Sequence, residues 1–160
     1  MNFIVFPGQG SQKIGMGKEL SDNFTEAKEV FEEVNNALNF NLTRVMWEGT
    51  NEEISLTSNA QPALMACSIA TLRVLNKITN KKLTDLADYV CGHSLGEYTA
   101  MTAAEVFSLN ECSILLRLRG NAMQEAVPIG KGAMAALIGT NFETAKKIID
   151  KVNSCGVCDI

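Results

Sequence analysis

The sequence predicts an α/β fold, and three observations carry that reading. Two short apolar segments, residues 3–6 and 88–91, each run directly into a glycine-bearing turn. The second turn, Gly92-His93-Ser94-Leu95-Gly96, opens a stretch of small residues with helical character. Farther along, apolar stretches at 133–138 and 157–160 flank a helical pattern, as in a β-α-β unit.

Size and composition bound the rest. The chain has 160 residues, 46% hydrophobic and 20% charged, an ordinary globular balance with enough apolar material for one core. No apolar run approaches the length that crosses a bilayer. The N-terminal Met1-Asn2-Phe3-Ile4-Val5-Phe6 lacks a basic flank and reads as a first strand, not a signal peptide. The expectation is an intracellular, cytoplasmic protein with no membrane association. Five cysteines, an odd number on apolar segments, point to reduced and mostly buried thiols. Cys155-Gly156-Val157-Cys158 has CxxC spacing, but no second ligand pair accompanies it and it does not open a helix, so neither a metal nor a redox function is expected. Net charge is −4 and the basic residues are dispersed, which argues against nucleic-acid binding.

Taken in order, residues 3–6 form a buried strand and Pro7-Gly8-Gln9-Gly10-Ser11-Gln12 a turn-forming loop. Helices are expected near 16–38 and 42–56, the latter containing a capping box, Thr50-x-x-Glu53. Pro62 suits a first helical position, with apolar residues recurring on one side through Ile78. The strand at 88–91 leads into a helix over 94–104. Ser108-x-x-Glu111 caps another helix running to about 127. Pro128-Ile129-Gly130-Lys131-Gly132 is a hinge-like break. Beyond it come a strand at 133–138, a helix capped by Thr140-x-x-Glu143 and running to about 152, and a strand starting at 157. The division is therefore 1–127 for a first domain and 128–160 for the start of a smaller one. A lone β-α-β does not complete a sheet, so the sequence reads as truncated.

Ser94 is the candidate nucleophile. A serine between Gly92 and Gly96, with an apolar strand before and a helix after, sits on a sharp turn that projects its hydroxyl above the sheet edge. The competing role is a plain helix cap, because Ser94-x-x-Glu97 also fits a capping box. His93, the only histidine, is adjacent in sequence and therefore poorly placed to act as base for Ser94. The base is expected to lie outside these residues. The Leu95 amide, following the nucleophile, is a candidate oxyanion donor, and the Gly8-Gln9-Gly10 loop can supply the second. That loop lacks the third glycine of a dinucleotide fingerprint, and Met16 stands where a Walker loop has lysine. A plain turn remains equally open.

On the helix over 109–127, Leu109, Cys112, Leu115, Leu116, Met123, Ala126 and Val127 form an apolar stripe with Arg119 in its middle. Arg117 falls opposite and is expected to be solvated. An inward arginine needs a partner. Two are open: a carboxylate such as Glu97, or a substrate carboxylate or phosphate. Gln61 projects toward the same region.

Phe6-Pro7-Gly8-Gln9-Gly10-Ser11-Gln12, Gln61-Pro62-Ala63, Gly92-His93-Ser94-Leu95-Gly96-Glu97, Arg119-Gly120 and Met123-Gln124-Glu125-Ala126-Val127-Pro128 occur in order. Together they resemble the malonyl-CoA:acyl carrier protein transacylases, essentially from end to end. The resemblance implies an α/β-hydrolase-like core with an inserted ferredoxin-like subdomain, both incomplete in this chain. It implies ping-pong transfer of malonyl from malonyl-CoA, through Ser94, to the phosphopantetheine thiol of acyl carrier protein in fatty acid synthesis, with no cofactor. It also implies backbone donors at Gln9 and Leu95, Arg119 on the malonyl carboxylate, and supporting roles for Gln61 and His93. Family members carry a catalytic histidine well downstream that has no counterpart here. The remainder of the polypeptide is then an expected partner, and these residues alone are expected to be inactive.

Three alternatives stand beside this one. A serine hydrolase or thioesterase would use the same elbow. A polyketide-type acyltransferase domain is a second, against which the start at Met1 on the first strand argues. A non-catalytic fragment that binds acyl carrier protein is a third, and would need a basic patch such as Lys146, Lys147 and Lys151.

Overall fold

Phe3-Ile4-Val5-Phe6, all apolar and expected to be a buried strand, forms a strand of which only Ile4 and Phe6 turn inward, because successive side chains point to opposite faces. In the computed structural model, which describes residues 1–127, 130–132, 135, 137–152 and 156–159, β1 (Phe3–Phe6) pairs in parallel with β2 (Tyr89–Gly92). The register sets Phe3 against Tyr89 and Phe6 against Gly92. Ile4, Phe6 and Val90 face inward and pack with Leu72, Leu83, Ala100 and Ala103. Phe3, Val5 and Tyr89 form the exposed side, with the Phe3 and Tyr89 rings stacked at 5.2 Å. Parallel strands need a crossover, and here helices supply it.

Those helices are α1 (Lys18–Asn23), α2 (Thr25–Leu38), α3 (Leu42–Glu48), α4 (Asn51–Ser55), α5 (Thr57–Thr79) and α6 (Leu83–Leu86). After β2 follow α7 (Leu95–Ala103), α8 (Leu109–Ala126) and α9 (Phe142–Val152). The helix expected over 16–38 is divided at Phe24, which is extended at φ −133°. The one expected over 42–56 is divided at Gly49 and Thr50. There the Thr50 hydroxyl accepts from the Glu53 amide and the Glu53 carboxylate accepts from the Thr50 amide. The capping box thus starts a new helix.

α5 is the centre of the fold and packs against α2, α7 and α8. Residues from Asn59 through Ala66 are buried without a break, so this part is covered on every side. Pro62 does not start the helix. It lies inside it, five residues after Thr57. Packing overrides the proline preference: the extra turn is held against α8, where a Cβ on Gly120 would meet the Ser58 Cα at 2.5 Å and the Thr57 carbonyl at 2.8 Å. Gly120→Ala is therefore expected to destabilise the full-length protein by about 1–3 kcal/mol, read as a lower thermal midpoint. An unchanged midpoint would show that this contact does not set the interhelical distance.

The buried face of α8 is Leu109, Cys112, Ser113, Leu116 and Gly120. This corrects the expected stripe: Leu115, Ala126 and Val127 are exposed and Met123 is half-buried. The helix is turned so that the residue without a side chain meets α5, and the Ser113 hydroxyl is satisfied by the Leu109 carbonyl at 2.7 Å. Cys67 and Cys112 lie in the core, where burial pushes both thiols up and keeps them protonated. Cys91, expected to be buried, is exposed, because it points to the uncovered side of the sheet.

The chain divides into two compact units, Met1–Val127 and Pro128–Ile160. In the second, α9 forms as expected, but Asn141 caps it in place of Thr140, its Oδ1 accepting from the Thr144 amide at 2.9 Å. The expected flanking strands are not formed among the described residues: Ala135, Leu137, Ile138 and residues 157–159 are outside any strand. Cys155 lies outside the described residues. Among the described residues no helix is long and apolar enough to cross a membrane.

Candidate active site

The site is built at the carboxyl edge of the sheet, where two turns leave adjacent strands side by side. Ser94 follows β2 with φ 56° and ψ −112°, a region that costs a residue bearing Cβ about 1–3 kcal/mol. Its neighbours make the turn possible. A Cβ on Gly92 would overlap the Gly96 carbonyl, and one on Gly96 would meet the Phe6 carbonyl oxygen at 2.5 Å. The α7 N-terminus is thereby pressed onto the end of β1, with its dipole favouring negative charge beside Ser94. The Ser94 hydroxyl makes no cap hydrogen bond to α7. It faces α8 instead.

From α8, the Arg119 Nη2 donates to Ser94 Oγ at 3.0 Å, and Nη1 donates to Gln61 Oε1 at 2.7 Å. Gln61 is fully buried on α5, and its Nε2 lies 3.3 Å from Met123 Sδ. The Arg119 guanidinium also lies 5.7 Å from the Tyr98 ring centroid. The ion pair with Glu97 is not formed. Among the described residues every partner of this half-buried cation is neutral. A fork held by a glutamine and a serine is oriented without being neutralised, which leaves it free to attract an anion.

Gln9 lies in the loop after β1, its Nε2 donating to Thr57 Oγ1 at 3.3 Å. Within that loop the Gly10 amide is taken by Gln12 Oε1 at 2.8 Å. The Gln9 and Leu95 amides donate to no acceptor among the described residues. Two open N–H groups thus stand on neighbouring turns of one sheet edge. His93 is exposed. Its amide donates to the Phe6 carbonyl at 3.2 Å, its carbonyl accepts from the Gly96 amide at 2.9 Å, and its ring covers Gly8. No hydrogen bond joins its ring to Ser94 among the described residues.

Arg117 is not solvated. Its Nη1 donates to Asn59 Oδ1 at 2.7 Å and its guanidinium stacks 4.8 Å from the Phe40 ring centroid. Burial pushes its pKa down from the ordinary arginine value. The periodicity placed it opposite the core because the true buried face is rotated toward it. Asn59, Tyr98 and Thr57 were not singled out by the sequence. One signal was available for Asn59: Asn59-x-Gln61 and Arg117-x-Arg119 share a two-residue spacing.

The profile of the family described as Acyl transferase domain matches residues 3–159. A malonyl CoA-acyl carrier protein transacylase of Bacillus subtilis (strain 168) is 47% identical over 153 residues, covering 96% of this chain and 47% of the relative. The crystal structure of an acyl-carrier-protein-S-malonyltransferase from Bartonella henselae superposes with a TM-score of 0.90 at 48% identity, covering 100% of this chain and 51% of that one. A malonyl-transacylase solved in complex with its type II polyketide synthase acyl-carrier protein gives a TM-score of 0.84 at 37% identity, covering 97% and 49%. The chain spans about half the length of the curated relatives it matches. With a match that takes in both strands, the Ser94 elbow and Arg119, the chain belongs to the acyl transferase domain family.

Proposed function

We propose that this chain supplies the nucleophile, the oxyanion donors and the acyl-recognition residues of a malonyltransferase. The enzyme would move malonyl from malonyl-CoA to the phosphopantetheine thiol of acyl carrier protein, in fatty acid synthesis. One observation carries the reading: an arginine with only neutral partners among the described residues, held 3.0 Å from an elbow serine. Ser94 Oγ attacks the thioester carbonyl, and the developing oxyanion lies between the Leu95 and Gln9 amides. Its collapse expels coenzyme A as the thiol and leaves malonyl-Ser94. The carrier thiol then attacks the ester, and Ser94 recovers its proton. Arg119 exchanges its bond to Oγ for the free malonyl carboxylate, and Gln61 keeps the other edge of the fork in place. His93 supports the Gly8–Gln9 loop. The base for Ser94 comes from the part of the relatives' length that this chain does not span. In the same reading, 1–127 belongs to an α/β-hydrolase-like core, and 128–160 begins a ferredoxin-like subdomain.

The test uses the full-length protein. Incubation with malonyl-CoA should place malonyl on the peptide containing Ser94, and added carrier protein should collect it, both followed by mass spectrometry. Release of free malonate in preference to loaded carrier would make the enzyme a hydrolase and overturn the proposal.

A further inference from the structure

The two arginines of α8 meet α5 in matching register. Arg117 reaches Asn59 and Arg119 reaches Gln61, each at 2.7 Å, so residues two apart on one helix grip residues two apart on the other. Positions two apart on a helix point to well-separated sides, so the arginines flank the seam between the helices. At the seam itself Gly120 rests on the backbone of Thr57 and Ser58. A glycine contact brings helices close but offers no side chain to resist rotation of one against the other. The flanking bridges supply that resistance.

The Asn59 bridge is built accordingly. Asn59 is 7% exposed, and both ends of its amide are used: Oδ1 accepts from Arg117, and Nδ2 donates to the Glu53 carbonyl at 2.8 Å. The Arg117 cation has no carboxylate partner among the described residues, and its Nη2 is buried without a hydrogen bond. A cation in such surroundings is unfavourable for stability alone. Its yield is a rigid fork that fixes the asparagine from one direction.

We propose that Arg117 and Asn59 are positioning residues, which fix the roll of α8 about its axis so that the Arg119 guanidinium stays beside Ser94 Oγ. The inference rests on the reading of Arg119 as the clamp for the acyl carboxylate. A guanidinium at the end of a long stem is displaced by even a small roll of its helix, and a misplacement of about 1 Å at a reacting centre costs about 10²-fold.

The experiment compares malonyl-CoA with acetyl-CoA in the full-length enzyme, as kcat/KM for loading. Arg117→Met keeps the apolar stem over Phe40 and removes the donors. It should lower the malonyl-to-acetyl ratio by about ten- to a hundredfold, and should add no further loss of that ratio in an Arg119→Ala background. Asn59→Leu should act likewise, whereas Asn59→Asp, which keeps an acceptor for Arg117, should retain the ratio. Arg117→Lys, the milder change, gives an intermediate ratio and serves if Arg117→Met does not fold. Equal losses for both substrates would show a merely structural bridge and overturn the proposal. If Arg119→Ala changes the ratio and neither Arg117→Met nor Arg117→Lys does, the positioning role alone falls. If Arg119→Ala leaves the ratio unchanged, the clamp itself fails and takes this inference with it.

Discussion

Ser94→Ala in the full-length enzyme is expected to abolish the malonyl adduct and lower transfer by about 10⁴-fold or more, the scale on which loss of an activated serine acts. The physical basis is narrow. Ser94 holds a positive φ of 56°, and its hydroxyl does not cap α7, although its sequence position would allow that. Alanine keeps Cβ and the same backbone demand, so the turn is preserved and only the oxygen is lost. Arg119 loses one of its acceptors but keeps Gln61, so its guanidinium stays in place. The fold is expected to persist, with far-ultraviolet circular dichroism unchanged, while intact-mass analysis after exposure to malonyl-CoA shows no added acyl group. A normal yield of adduct on the Ser94→Ala protein would end the assignment of Ser94 as nucleophile.

Arg119→Ala is expected to reduce kcat/KM for malonyl-CoA by about 10²-fold or more, because a charge-paired contact in a half-buried setting is lost. Acetyl-CoA lacks the free carboxylate and should suffer much less. Equal losses for the two would refute the clamp. Stability must be followed in parallel, because the substitution leaves Gln61 Oε1, fully buried, without its donor. An orphaned buried acceptor costs about 1–3 kcal/mol. Arg119→Lys separates charge from geometry. It keeps the cation but not the planar fork that spans Gln61 and Ser94, so malonyl preference should fall to an intermediate value.

Local chemistry made much of the fold readable. The boxes at Thr50 and Ser108 are set by residues whose effect reaches only three positions, and the strands at Phe3–Phe6 and Tyr89–Gly92 show as short apolar runs that then pair with each other. The second unit shows the opposite case. Its helix forms from its own periodicity and the Asn141 cap, whereas the described parts of its expected strands are not in a sheet, since a strand requires a neighbour that no local pattern supplies. Pro62 was misread for a related reason: a proline preference is small beside the burial of a whole turn of α5 against α8.

By itself the sequence determined the elbow, because Gly92 makes room for the Gly96 carbonyl only four positions on, whereas the need for a glycine at 96 itself comes from the Phe6 carbonyl of the neighbouring strand. It also determined that α8 carries two arginines, without saying where each would go. Only the tertiary structure decided that. A helical pattern gives the angle of a side chain about its own axis, but the roll of α8 against α5 comes from packing, with Gly120 pressed on Ser58 at the seam and Arg117 and Arg119 bridging to α5 on either side of it. That roll turned Arg117 from solvent onto Asn59, and it gave Arg119 a glutamine and a serine in place of a carboxylate.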